Sequence, residues 1–279
     1  MSNDPAAGWV TVRIVPGADR DGVSGSLFDA GAMGVQEIGD ALLTQVASQD
    51  EADEIVRAVL AQHPDARATT ELLPSVDWSE QWKRGIRAQE LGRLTVAPPW
   101  LAEGLDPART IVIEPAMAFG TGEHATTRGV IRLLQNVIRP GDRVADLGAG
   151  SAVLAIAAAK LGASRVAAIE LDHDAIENAE ENVLRNGVAD RVSVIEGDAA
   201  ALVMLVAPVR VVTANIISSV LVELLPLIEF ALEDDGRAIL SGILAAERDE
   251  MVGVLTNTGW RIEAEDSEDI WWSATIARR

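Results

Sequence analysis

The chain contains no cysteine. That excludes disulfides and thiolate metal sites. Histidine is scarce too, at three in 279 residues, so although His124 is a ligand by type, no metal is expected. Lysine is nearly absent: Lys83 and Lys160 are the only two, and arginine supplies the rest of the positive charge. No stretch of about twenty uninterrupted apolar residues occurs, so no membrane span is expected. The opening Met1-Ser2-Asn3-Asp4-Pro5 lacks both a basic region and an apolar core. It does not read as a signal peptide, and a cytoplasmic location is expected.

What is present is enough apolar residue for a real core, 48% of a chain long enough for one large domain or two ordinary ones. The formal charge of −20 disfavours a nucleic-acid-binding face and favours a basic partner. Solubility alone accounts for such a charge equally well.

The amino-terminal third reads as a small domain over residues 1–74. Trp9 to Val15 alternates apolar and polar residues as a strand does. Asp21 to Ala32 has helical spacing, punctuated by Gly31 and Gly34. Val35–Ile38 and Leu42–Ala47 flank Gly39-Asp40 as a hairpin. Glu51 to His63 is amphipathic, with Ile55, Val56, Val59 and Leu60 on one side. Ala66 to Leu73 is a last strand. The order β-α-β-β-α-β predicts a ferredoxin-like α+β sandwich, suited to recognition because it carries no catalytic constellation. Residues 75–100 read as a linker. Trp78 and Trp82 lie four apart on one helix face, and Pro98-Pro99-Trp100 makes a stiff corner.

Residues 101–279 alternate strands and helices, which indicates a doubly wound sheet. The central stretch is Val144 to Ile156: an apolar strand ending at Asp146, a turn with Gly148 and Gly150, and a helix of good formers that Ser151 is placed to cap. Such a turn at the carboxyl end of a strand is where open α/β sheets bind nucleotides. Arg165 to Glu170 is a second buried strand, and Glu170 lies where a carboxylate receives ribose hydroxyls. Asp172 or Asp174 caps the next helix, which Gly187 stops. A third strand leads to Asp198, placed to reach an adenine amino group. A fourth, Val209 to Thr213, runs into Ala214-Asn215. The helix Ser218–Phe230 is expected to be disturbed at Pro226. Arg237 to Ser241, Trp260 to Ala264 and Ile270 to Ala277 complete the strands.

Upstream, Ile111 to Pro115 leads into Gly120, Gly122, three threonines and a helix from Gly129 to Val137. Backbone and hydroxyl donors at a helix start suit an anion or a polar ligand. A dinucleotide fingerprint needs a third glycine where this chain has Val153. That speaks against a nicotinamide oxidoreductase. The pattern D-x-G-x-G, with Asp146 ahead of Gly148, resembles the first motif of class I S-adenosylmethionine-dependent methyltransferases. Glu170, Asp198 and Asn215 fall at the next three strand ends, as in that superfamily.

Met117-Ala118-Phe119-Gly120-Thr121-Gly122-Glu123-His124-Ala125-Thr126-Thr127 resembles the signature of the PrmA family, which methylates the eleventh protein of the large ribosomal subunit. Ala155-Ile156-Ala157, Ala214-Asn215-Ile216 and Leu240-Ser241-Gly242-Ile243-Leu244 match its blocks as well. The resemblance implies a seven-stranded methyltransferase sheet with S-adenosylmethionine as cofactor. It implies that Thr127, Gly148, Glu170 and Asn215 contact the cofactor, together with Gly150 and Asp198. Phe119, Gly120, Thr121 and Gly122 would form a loop over it, and Asp146 would support the glycine turn. Asn215 would orient the substrate amine. The substrate would be a basic ribosomal protein gripped by the amino-terminal domain, with lysine side chains or the amino terminus methylated, and the enzyme a monomer. The chain departs from the family at Ala149, usually cysteine; at Ala152, usually glycine, where the extra methyl is expected to narrow the pocket; and at Glu170, often aspartate. The competing readings are a methyltransferase for another protein and a non-catalytic cofactor-binding module of ribosome assembly.

Overall fold

The computed structural model describes residues 9–72, 86–115, 120 and 122–279. Pro74, the Trp78/Trp82 face, Phe119 and Thr121 lie outside the described residues. The chain divides into two compact units, residues 1–85 and 86–279.

The first unit contains β1 (Val10–Val15), α1 (Arg20–Asp29), β2 (Gln36–Ile38), β3 (Ala41–Val46), α2 (Gln49–Gln62) and β4 (Arg67–Leu72). Its sheet runs β2-β3-β1-β4 with every pair antiparallel. This is the ferredoxin-like order anticipated from the sequence. Val10, Val12 and Ile14 project from one face of β1 into a core with Val23, Leu27, Ile55 and Val59. Both helix starts are capped: Asp19 accepts from Gly22 N, and Ser48 from Glu51 N.

The second unit opens with a three-stranded sheet of β5 (Gln89–Leu91), β6 (Leu94–Ala97) and β7 (Thr110–Val112). The segment 75–100, expected as a linker, therefore holds two strands and a 3-10 turn in its described part. Leu91, Leu94 and Val96 are buried in the core of this unit, so apolar packing outweighs the Pro-Pro punctuation.

The main sheet follows. Its elements are α3 (Ala125–Val137), β8 (Arg143–Leu147), α4 (Val153–Lys160), β9 (Arg165–Glu170), α5 (His173–Arg185), β10 (Val192–Glu196), α6 (Ala199–Val206), β11 (Val209–Asn215), α7 (Ser218–Ala231), β12 (Leu232–Leu244), α8 (Arg248–Asn257), β13 (Trp260–Glu268) and β14 (Trp271–Arg278). The strands lie in the order β10-β9-β8-β11-β12-β14-β13. The first five are parallel, and β14 runs antiparallel to both of its neighbours. Strand order reverses between β8 and β11. Loops leaving the carboxyl ends there diverge and open a crevice.

One face of the sheet packs against Val130, Ile131, Leu134 and Ile156, the other against Leu221, Leu224, Ile228 and Met251. Burial on both faces explains why β8 and β11 read as continuous apolar runs. Pro226 does not break α7, which is continuous through it. The strand expected at 237–241 extends from Leu232 to Leu244, because it pairs with β11 on one side and β14 on the other.

Candidate active site

The glycine turn is held from within. Gly148 N and Ala149 N both donate to Ile169 O, at 2.9 and 3.0 Å. Gly150 N donates to Glu170 Oε2 at 2.7 Å. Gly148 and Gly150 have φ of 68° and 51°, a left-handed region where glycine is free of the Cβ penalty. With all three amides committed, the turn offers no cradle for a pyrophosphate. This is a second ground, beyond Val153, against a dinucleotide.

Ser151 does not cap the following helix. Its hydroxyl donates to Gly120 O at 2.7 Å, tying the glycine turn to the loop before α3. The cap residue is Ala152, at φ 64° and with no side-chain cap bond. Ala152 lines neither cavity of the site, and its methyl is fully buried in the core. The departure from glycine therefore acts on the backbone rather than on the pocket.

Asp146 sits behind the turn and is fully buried. It accepts from Thr213 Oγ1 at 2.6 Å and from Ala155 N at 3.1 Å, linking β8, β11 and α4. Burial pushes its pKa up to about 7, against the lowering effect of these two hydrogen bonds. It touches neither cavity, so it can act on a ligand there only through the turn it supports.

Two cavities flank the turn, of about 690 and 360 Å³, and both are lined by Gly148, Glu170, Ile216 and Ile217. The larger adds Leu171, Asp198 and Val220, an apolar wall with a carboxylate at its rim. Asp198 also caps α6 through Ala200 N. The smaller adds His124, Thr126, Gly150, Asn215, Gly242 and Trp271. Glu170 lies at their junction. Its Oε1 accepts from Asp172 N at 2.9 Å while Oε2 holds Gly150 N, which leaves a lone pair on each oxygen for a ligand hydroxyl.

The first turn of α3 forms the opposite side. His124 is its N-cap: Nδ1 accepts from Thr126 N at 3.3 Å and lies 2.7 Å from Thr126 Oγ1. Burial first, then Arg128, holds its pKa below the usual histidine value. An unprotonated Nδ1 makes the Thr126 hydroxyl the donor to histidine. That same hydroxyl then accepts from Asn215 Nδ2, at 3.1 Å. The chain of bonds fixes which way round the Asn215 amide sits. Its Oδ1 is left uncommitted among the described residues, at the end of β11 and at the cavity edge. Thr127 is completely buried, and its hydroxyl finds no partner among the described residues.

Close backbone approach shapes the rest. A Cβ on Gly242 would meet Ile216 O at 2.4 Å, so only glycine lets β12 run beside the Asn215-Ile216 corner. A Cβ on Gly122 would come within 2.4 Å of Val96 Cγ1.

Sequence reading missed two asparagines, Asn182 in α5 and Asn186 at its C-cap. Asn186 accepts from Val112 N at 2.8 Å and donates to Val112 O at 2.7 Å, imitating a strand partner for β7. Asn182 is fully buried, accepts from Glu114 N and donates to Ser151 O, at 3.0 and 3.2 Å. Together they anchor the chain that leads into the 116–122 segment. The available signal was a pair of asparagines at i, i+4 on a helix whose other inward positions are apolar.

The residues fit S-adenosylmethionine on these observations: an uncommitted Asn215 Oδ1 at the cavity edge, open lone pairs on Glu170, and an apolar wall closed by Asp198. A family description, "Ribosomal protein L11 methyltransferase (PrmA)", matches residues 25–279. The chain belongs to this methyltransferase family. A relative from Myxococcus xanthus named ribosomal protein L11 methyltransferase is 36% identical over 234 residues, covering 82% of this chain and 79% of that one. One of the same name from Symbiobacterium thermophilum is 40% identical over 214 residues, covering 73% and 66%. Among solved structures, a ribosomal protein L11 methylase from Lactobacillus delbrueckii subsp. bulgaricus is 29% identical with a TM-score of 0.61, covering 70% of this chain and all of that one. Membership in the family implies S-adenosylmethionine as methyl donor. Among the described residues no cluster of three metal-ligating side chains occurs, and no helix is long and apolar enough to cross a membrane.

Proposed function

We propose that the chain transfers methyl groups from S-adenosylmethionine to amino groups of ribosomal protein L11. The observation that carries this is the orientation of Asn215, whose Oδ1 is left open by the Thr126 and His124 bonds at the edge of a cavity shared with Gly148 and Glu170. When bound, the cofactor supplies a methyl group already activated on a sulfonium. The protein's task is alignment. Asn215 Oδ1 accepts one N–H of the incoming amine and points its lone pair inward. The amine arrives mostly as ammonium, with a reference pKa of about 10.4, and the apolar walls of Ile216 and Trp271 favour the neutral form. Glu170 holds the ribose, the turn at Gly148 and Gly150 lies against the cofactor, and Asp198 receives the adenine amino group. Thr127 donates its unpartnered hydroxyl. Asp146, behind the turn, supports it. Phe119, Gly120, Thr121 and Gly122 complete the cofactor contacts.

The amino-terminal unit recognises the ribosomal protein in this scheme. A net charge of −20 suits a basic protein and disfavours direct nucleic-acid contact. The enzyme acts as a cytoplasmic monomer. Incubation with labelled S-adenosylmethionine and unmethylated large-subunit proteins should label L11, whereas label confined to another protein would overturn the substrate assignment. Glu170→Ala should weaken cofactor binding by about tenfold or more, as loss of charge-assisted hydrogen bonds predicts. Unchanged affinity by calorimetry would remove Glu170 from the ribose site.

A further inference from the structure

The amino ends of the sheet strands hold a feature that methyl transfer does not use. Arg143 opens β8 and Arg165 opens β9, and the two face each other in register on adjacent parallel strands. Arg210 precedes Val211, whose register partner is Val144, so arginine recurs at the same level on a third adjacent strand. Like charges on neighbouring strands repel unless something neutralises them. Carboxylates are abundant in this chain, at 43 Asp and Glu, yet among the described residues Arg143 and Arg165 make no ion pair. The Arg210 side chain is 6% exposed, with Asp235 3.5 Å away, and its Nε and Nη1 make no hydrogen bond.

Beside this row lies a groove of about 400 Å³. Arg143, Arg165 and Arg191 line it together with the apolar Ile195, Leu205 and Val206. Its single acidic lining residue, Asp190, is paired with Arg191 at 3.6 Å. Two of the guanidinium groups are pre-set. Arg143 Nη2 donates to Val206 O at 2.9 Å, and Arg191 Nη1 donates to Ala159 O at 2.6 Å. Each keeps further N–H donors for a ligand, and anchoring lowers the entropy lost on binding.

We propose that this groove is a second ligand site, which takes a small organic phosphate of nucleotide size. Planar guanidinium groups match phosphate oxygens, the apolar residues accommodate a ring, and the volume lies within the range of small-molecule pockets. Arg165 and Glu170 are the two ends of one strand, about 17 Å apart along it, so the groove is remote from the cofactor cleft.

Isothermal titration of the full chain at low salt, with S-adenosylhomocysteine saturating the cofactor cleft, tests this. The probes are inorganic pyrophosphate and uridine diphosphate, a nucleotide without adenine. Both should bind saturably at one site, the nucleotide more tightly by about threefold or more through its apolar contact. The exposed Arg165→Glu should lower affinity for both by about tenfold or more, and Arg143→Lys should lower it less. Arg165→Glu should hold or raise the melting temperature, because it replaces a like-charged cross-strand pair by an opposite-charged one, and neither change should alter the affinity for S-adenosylhomocysteine. No saturable heat from either probe, or wild-type affinity in Arg165→Glu, would overturn the site. Equal binding of pyrophosphate and nucleotide would overturn the role of the apolar residues.

Discussion

The two walls of the cleft proposed for the cofactor differ in how their polar groups are employed. The wall made by the glycine turn is closed on itself: the amides of Gly148, Ala149 and Gly150, both oxygens of Asp146 and the Ser151 hydroxyl all have partners within the protein. At the start of α3 and the end of β11, Asn215 Oδ1 is open at the cavity edge and the Thr127 hydroxyl, buried outside both cavities, has no partner among the described residues. Satisfied groups make a rigid support, because each constrains the backbone beside it. Open groups await a ligand, because a buried unpartnered hydroxyl is costly until it finds one. The first wall is built for stability and the second for reception, so substitutions on the two should separate stability from function.

The largest effect belongs to the receiving wall. Asn215→Ala should lower kcat by about 100- to 1,000-fold, the scale of losing one positioning or stabilising hydrogen bond in an active site. Melting temperature should change little. Full turnover at saturating cofactor would end the orienting role.

On the supporting wall, Asp146 should make stability depend on pH. Its pKa is raised from 3.8 to about 7 in the fold, so between those values the native state binds more protons than the unfolded chain. Stability therefore falls as pH rises through that window, by at most about 1.4 kcal/mol per pH unit, and its contribution levels off above pH 7. Asp146→Asn keeps an acceptor for Thr213 but sets an amide against Ala155 N–H. It should be less stable at low pH yet lose this slope. Equal slopes in denaturant titrations of both proteins would show that another group is responsible.

Thr127→Val should lower cofactor affinity by about five- to tenfold, the worth of one hydrogen bond. In the absence of cofactor its stability should hold or rise slightly, because an orphaned hydroxyl is removed. A clear loss of stability instead would place Thr127 with the supporting wall. The smallest effect should come from Ala152→Gly. Relief of the left-handed φ of 64° should add about 0.5–1 kcal/mol of stability without changing cofactor affinity. Altered affinity would restore a pocket role to Ala152.

Much of the fold was legible because it rests on local periodicity. Alternation at Val10, Val12 and Ile14 revealed β1, and continuous apolar runs around Asp146 and Asn215 revealed the strands of a doubly covered sheet. The strands at 89–97 were not legible, since a tryptophan and two prolines close by read as a joint. The site was legible as positions: strand ends at Asp146, Glu170, Asp198 and Asn215, and the signature before α3. Their duties were not. Ser151, read as a cap, instead ties two loops together, and the support that Asp146 gives the turn runs through Thr213 and Ala155, partners the sequence did not name.

The amino-acid sequence by itself determined the class of fold, the place of the glycine turn and the family, because periodicity, glycine spacing and signature residues are properties of neighbouring positions. Only the tertiary structure decided which polar atoms are committed and which remain open. Asn215 and Thr126 are 89 positions apart, and Asp146 and Thr213 are 67 apart. Hydrogen bonds over such separations depend on how strands stack in space, and no local pattern encodes them.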